Sequence, residues 1–182
     1  ISILETDTDL YAIKNYRDYI VGAGLIGYLY DAAYRMDVIA TFLEDDTSKD
    51  GYFSAVANID YSWVMNDRNW YGMVELYYNG IGNKDVSLNI DNDALFERLH
   101  RGELFVVGRW YLDGMLQYEA HPLVNVFFSF ICNLEDHSLL LQPRAAWDVS
   151  QTSQVLIGMN VPVGYRGDEF RSLVDEDTGI TL

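Results

Sequence analysis

The chain has 182 residues, of which 49% are apolar and 14% aromatic, so it is long enough for one domain with a sizeable interior. Its formal charge is −16, with 28 acidic against 12 basic residues, and this argues against a nucleic-acid partner because phosphate would be repelled. The single cysteine excludes an internal disulfide. The sequence contains no run of about 18 uncharged apolar residues, so no transmembrane helix is predicted.

Alternating apolar and polar residues predict a series of β-strands, because successive side chains on a strand point to opposite faces. The first strand, residues 18 to 30, is apolar on both faces, and the longest clear one spans residues 104 to 119. The other predicted strands span residues 34 to 44, 52 to 65, 70 to 80, 123 to 134, 139 to 149 and 154 to 163. These eight strands fall within residues 15–164 of a single predicted domain, 1–182.

The connections between these strands alternate in length. Short turns are predicted at residues 31 to 33, 66 to 69, 120 to 122 and 150 to 153. Longer connections are predicted at residues 44 to 51, 79 to 103 and 135 to 138, and as a loop or truncated end at 165–182. Tight turns at one end and loops at the other are typical of an antiparallel up-and-down β-barrel.

The long outer loop, residues 79–103, contains a predicted short helix. Its segment "NDALFERLHRG" offers Asn92 or Asp93 as the N-cap and Gly102 as the residue that ends the helix. We expect this loop to lie over the mouth of the barrel or to fold into it.

Three features favour a transmembrane barrel whose apolar face points outward into lipid. The apolar face carries bulky side chains such as Trp110, Phe128 and Trp147, which would overfill the interior of an eight-stranded barrel. The polar face mixes Arg, Asp, Glu and Tyr with few lysines, as expected in a lumen where charges pair. Aromatic residues also gather near the short turns, as in the girdle of a membrane interface.

This orientation predicts two sets of functional residues. The predicted lumen-lining residues are the charged members of the polar face: Arg35, Asp37, Asp60, Glu75, Arg109, Asp113, Glu119, Arg144 and Asp148. The predicted lipid-facing girdle is aromatic: Tyr34, Trp63, Trp70, Tyr118 and Trp147. The charged set is expected either to form a constriction that sets ion preference or to form a salt-bridged plug.

No catalytic site, cofactor or metal site is expected from the sequence. His100 lies on the predicted loop helix and His121 in a short turn, and neither accompanies a nucleophile in the pattern that hydrolysis requires. His137 stands beside Glu135 and Asp136, but a solvated acidic loop explains this segment better than a cation site does. The glycines of "VGAGLIG" do not precede a helix, so they predict no nucleotide-binding loop.

Three segments carry a resemblance to a known class of protein. They are "NLEDHSLLLQPRAAWDVSQTSQVLIGMNVPVG", "NWYGMVELYYNGIG" and "LHRGELFVVGRWYLDGMLQYEAHPLVNV". Over roughly residues 18 to 170 the chain resembles the later strands of porin-like outer-membrane β-barrel proteins of Gram-negative bacteria. The resemblance implies a bacterial outer-membrane location, the lipid bilayer as a partner, and a barrel that extends beyond the strands counted here.

The expected role is passive diffusion of small hydrophilic solutes through the lumen. One alternative is a non-conducting structural or adhesion barrel with a salt-bridged lumen. A less favoured alternative is a soluble lipocalin-like carrier, in which the apolar face would point inward.

Overall fold

Consecutive strands pair in chain order in the computed structural model, which describes residues 4–6, 9–11, 17–44, 51–83, 95, 98–99 and 102–172. A small hairpin of β1 (Leu4–Thr6) and β2 (Asp9–Tyr11) forms a sheet of its own. The main sheet contains β3 (Arg17–Leu29), β4 (Ala32–Glu44), β5 (Tyr52–Met65), β6 (Arg68–Asn79), β7 (Trp110–His121), β8 (Val124–Asn133), β9 (Leu139–Ser150), β10 (Ser153–Gly158) and β11 (Val161–Val163). A single helical turn, α1 (Glu169–Ser172), follows the sheet.

Every pairing in the main sheet is antiparallel, and neighbours in the sheet are neighbours in the chain. Strand β11 pairs with the first residues of β9, so β10 and β11 together run along nearly the whole of β9. The predicted all-β antiparallel meander is therefore confirmed. Seven of the predicted strands correspond to β3, β4, β5, β6, β8 and β9 and to the β10–β11 pair.

The remaining predicted strand, residues 104 to 119, is wrong over its first part, because β7 begins only at Trp110. The preceding residues run beside the chain that leaves β6, where the Asn83 N–H donates to the Val107 carbonyl at 2.8 Å. Asn83 and Gly108 also form an isolated parallel bridge. Alternation continues through this segment, but its backbone partners come from the loop rather than from a neighbouring strand.

The two ends of the sheet differ as the lengths of the connections indicated. Two-residue turns join β3 to β4, β5 to β6, β7 to β8 and β9 to β10. In the turn after β5, Asn66 and Asp67 have φ values of 54° and 57°, the left-handed backbone that matches the twist of a tight hairpin. We call this the turn end of the sheet and the opposite one the loop end.

At the loop end, the long connection after β6 contains a helical turn. Leu95, Arg98 and Leu99 are helical, and Gly102 has a φ of 70°. The Gly102 N–H bonds the Leu99 carbonyl at 3.0 Å and the Glu103 N–H bonds the Arg98 carbonyl at 2.9 Å, which together form a Schellman motif. The proposed N-caps, Asn92 and Asp93, lie outside the described residues.

The main sheet is open. Its strands are ordered from β3 at one edge to β10 at the other, and within the described residues no ladder joins these two edges. The closure expected of a barrel is therefore not part of the described fold.

The sheet has two faces of opposite character. The polar face carries Arg35, Asp60, Glu75, Asp113 and Arg144, and the apolar face carries the intervening residues of each strand. The buried side chains of the strands all belong to the polar face: Ala33, Thr41, Asn79, Tyr111, Asn133 and Ala146. Side chains from the connections and from α1 are buried as well: Ile81, Leu95, Arg98, Ser138 and Phe170. The interior of the fold thus lies on the side with the charges.

Candidate functional site

The apolar face is exposed along the length of the sheet. Leu116 and Phe128, in the centre of β7 and β8, are 40% and 45% exposed, and Trp147 on β9 is 52% exposed. Contiguous apolar surface of this extent is rare on a monomer in water and marks contact with a membrane or a partner. Trp110, Phe128 and Trp147 are all exposed on this face, and their contact with lipid stays a prediction.

Near the turn end, the apolar face carries a ladder of aromatic rings across three strands. The rings of Tyr61 and Trp63 stack with centroids 6.0 Å apart, and Trp63 and Trp70 stack at 6.1 Å. Trp70 then meets Tyr118 on β7 at 4.4 Å. A side chain at Gly72 would approach the Trp63 ring to 3.3 Å, so the glycine leaves room for that ring.

Three of the five predicted girdle residues therefore belong to this aromatic ladder. Tyr34 lies apart from it on β4, where its ring packs over Gly27 of β3. Trp147 is on β9 and faces Val124 and Val155 in register. All five share the apolar face, but only Trp63, Trp70 and Tyr118 are brought into a common row.

A row of polar side chains crosses the polar face from β4 to β7. Arg35 forms an ion pair with Asp60 at 2.6 Å and also donates to the amide oxygen of Asn58 at 3.3 Å. Asn58 in turn donates to Glu75 at 3.0 Å, and Glu75 faces Asp113 in register. One carboxylate oxygen of Asp113 is buried without a hydrogen-bond partner in the described part of the chain. The four charged members of this row were all predicted; the bridging role of Asn58 was not.

Two further predicted lumen residues lie nearer the turn end and have neutral partners. Asn69 of β6 donates its amide to the carboxylate of Glu119. Gln154 donates to Asp148 at 2.8 Å across the β9–β10 pairing. Amide groups thus bind these carboxylates, rather than the arginines that a salt-bridged plug would use.

Arg144 and Asp37 also lie on the polar face. The guanidinium of Arg144 is 5.6 Å from the centre of the Phe127 ring, a distance at which a cation–π contact is favourable. Asp37 is exposed, and its carboxylate lies over Gly24 of β3, where a side chain would collide with it.

Arg109 is placed differently from the prediction. It precedes β7, and its Nε donates to the carbonyl of Gly82 at 3.1 Å. The prediction that Arg109 and Asp113 lie on the same strand is therefore wrong, since β7 begins one residue after Arg109.

The loop end contains a cluster of hydrogen bonds that sequence reasoning missed. Its centre is Glu169 of α1, whose carboxylate accepts from the Tyr111 hydroxyl at 2.6 Å, the Asn133 amide at 2.6 Å and the Val107 N–H at 2.7 Å. Tyr111 is only 1% exposed, and Asn133 is fully buried. We call these four residues the loop-end cluster.

The backbone of α1 is held as well. Asp136 accepts a hydrogen bond from the Glu169 N–H at 2.7 Å, and Ser138 accepts one from the Phe170 N–H at 3.4 Å. The Phe170 ring is buried and meets the Tyr111 ring edge-on at 6.4 Å. The helical turn is thus fixed to β7, β8 and the β8–β9 connection on the polar-face side.

The carboxyl group of Glu169 has a raised pKa because it is largely buried. Burial raises its pKa above the ordinary range, whereas the hydrogen bonds from Tyr111, Val107 and Asn133 lower it by favouring the ionised form. The nearby Asp136 carboxylate adds to the rise. The net direction is upward, so the described contacts do not fully offset the burial of this charge.

The acidic segment "EDHS" at residues 135 to 138 has a structural use. Glu135 accepts from the Trp110 N–H at 3.0 Å, and Asp136 accepts from the Ser138 N–H at 2.8 Å. Within the described residues, no three His, Cys, Asp or Glu side chains come together in a way that could hold a metal ion. Among the described residues, none of the helices has the length and apolar character needed to span a membrane.

The chain was also compared with known proteins. No family model, curated protein or solved structure matches it. The resemblance to porin-like proteins therefore stays a prediction.

Proposed function

We propose that this chain forms the wall, or most of the wall, of a bacterial outer-membrane β-barrel through which small hydrophilic solutes diffuse passively. The observation that carries the proposal is the inverted polarity of the sheet. The buried strand side chains lie on the charged face, and the apolar face is exposed over β3 to β11. A lipid environment is the solvent in which this distribution is favourable.

The lengths of the strands support the same proposal. Tilted strands of about 9 to 11 residues cross the hydrocarbon layer. Strands β3 to β9 have 10 to 14 residues each, which is enough to cross it and to reach both interfaces. The aromatic ladder near the turn end is then placed where interfacial rings are expected.

The open edges of the sheet have a consequence in this proposal. An unpaired strand edge in lipid would leave backbone N–H and carbonyl groups without partners, at a cost of several kcal/mol for each group. The proposed barrel therefore closes, either by pairing of β3 with β10 and β11 or by insertion of further strands between them. In either case the polar face becomes the lining of the lumen.

The chemistry of that lining favours hydrophilic solutes. A linked row of polar side chains crosses the sheet and contains Arg35, Asp60, Asn58 and Glu75. Nearer the turn end, side-chain amides donate hydrogen bonds to the carboxylates. Such a surface stabilises water and polar solutes, whereas it offers an apolar ligand little contact. This is the reason for preferring passive diffusion to the carriage of apolar ligands.

A second candidate function is a non-conducting structural or adhesion barrel. The specific observation in its favour is the loop-end cluster, which buries Tyr111 and Asn133 beneath α1 at the loop end of the polar face. If loops cover the lumen permanently at that end, solutes have no path.

Conductance across a planar bilayer tests the proposal. The full chain, folded in detergent and added to one side, should produce discrete current steps in potassium chloride. Folded protein that inserts without steps would favour the non-conducting barrel. A chain that folds and stays monomeric in buffer without detergent would overturn both membrane functions and favour a soluble carrier.

A further inference from the structure

We infer that α1 is a latch that narrows the loop-end mouth of the lumen, and that Glu169 holds it closed. This inference rests on the barrel proposed above, in which the polar face is the inside. The latch consists of the described residues of α1, Glu169 to Ser172.

The position of the latch follows from its contacts. Tyr111 and Asn133 are register partners on β7 and β8, and their side chains project from the polar face. Glu169 reaches both of them, so α1 lies over that face at the loop end rather than beside the sheet. A segment placed there occupies space that a solute would need to enter the lumen.

The mode of attachment makes α1 a candidate for release. A four-residue helix is too short to be stable alone, so its conformation depends on the groups that hold it. Three donors converge on one carboxylate, and hydrogen bonds to charged groups are among the stronger ones in proteins. Removal of the Glu169 side chain therefore removes all three together.

Packing supplies the second attachment, and it is independent of charge. The Phe170 ring is buried against Tyr111, and the Phe170 N–H is bonded to Ser138. Truncation of Phe170 weakens the latch while every charge in the chain is kept. The two side chains thus allow electrostatic and steric effects on conductance to be separated.

The test compares Glu169→Ala and Phe170→Ala with the parent chain and with Asp67→Asn. Asp67 is exposed in the turn after β5, at the far end of the sheet, so its replacement removes one negative charge and leaves α1 intact. Asn tolerates the left-handed backbone at this position. Circular dichroism of each variant in detergent establishes that the strands have formed.

Two measurements are made on the folded variants. The first is the single-channel step in a planar bilayer, which should increase for both α1 variants and stay at the parent value for Asp67→Asn. The second is the rate of tryptic cleavage after Arg171, which should rise at least about tenfold for Glu169→Ala, since the loss of a single such hydrogen bond shifts an opening equilibrium by about that factor.

The outcomes separate the latch from the pore. Conductance steps of unchanged size in both α1 variants would show that α1 is not a latch, while the channel function would still stand. An unchanged rate of cleavage after Arg171 would lead to the same conclusion. A silent parent with conducting α1 variants supports a latch that is closed at rest. Silence of all four proteins overturns the channel function itself, and the role of α1 as its latch with it.

Discussion

The two faces of β7 differ in character, although their residues alternate along one strand. Leu116 points to the exposed apolar face, and its neighbour Gln117 points to the polar face and donates to Asn125 at 3.2 Å. In a protein that folds in water the apolar side would be the buried one. Alternation therefore predicts that a strand has two different faces, whereas only burial in the fold shows which face is the interior one.

The largest predicted effect separates these neighbours directly. Leu116→Arg should lower the free energy of unfolding by about 2 to 4 kcal/mol in a bilayer, because it places a charge on the proposed lipid face near the middle of a strand. Gln117→Arg should cost less than about 1 kcal/mol, since it adds a charge to the proposed lumen lining. Urea unfolding of both variants in lipid vesicles measures the difference, and a reversed ranking would overturn the assignment of the faces.

The next prediction concerns the polar row. Arg35→Met should destabilise the protein by about 1 to 2 kcal/mol, between the values for an exposed and a fully buried ion pair, because the Arg35 side chain is 42% and Asp60 15% exposed. Arg166→Met, in the exposed turn before α1, is the matched loss of one positive charge and should have little effect. Equal midpoints for the two variants in urea would show that the row does not hold β4 and β5 together.

A smaller effect is expected on the opposite face. Trp63→Leu keeps an apolar side chain but removes the central ring between Tyr61 and Trp70, which should cost about 0.5 to 1.5 kcal/mol. Phe105→Leu, an exposed aromatic replacement outside the strands, is the control. Thermal unfolding in lipid checks the pair, and identical melting temperatures would argue against an energetic role for the aromatic ladder.

Most of the sheet could be predicted from the sequence, because apolar residues recur at every second position along a strand that has one apolar face. This signal located both ends of β5 and placed Arg35, Asp60, Glu75 and Asp113 on one face. The same signal extended β7 too far, since residues 104 to 109 alternate as a strand does but pair with the loop after β6. Periodicity does not indicate which strand or loop forms backbone hydrogen bonds with a segment.

The loop-end cluster could not be predicted for a related reason. Residues 165 to 172 have no period, and α1 is stabilised by Tyr111, Asn133 and Asp136, which are distant in the chain. The burial of Tyr111 at the start of β7 points to the cluster, but this burial is visible only in the structure and not in the sequence. Closure of the proposed barrel likewise depends on which strand pairs with β3, and β3 does not specify that partner because it is apolar on both faces.

Site-specific quenching at positions 116 and 117 reports which face of β7 meets lipid. A fluorophore is attached to Leu116→Cys or to Gln117→Cys in a Cys132→Ser background, and each protein is placed in vesicles. We predict that lipids carrying a brominated acyl chain quench the label at 116 and that aqueous iodide quenches the label at 117. Quenching by iodide at 116 and by brominated lipid at 117 would contradict the account.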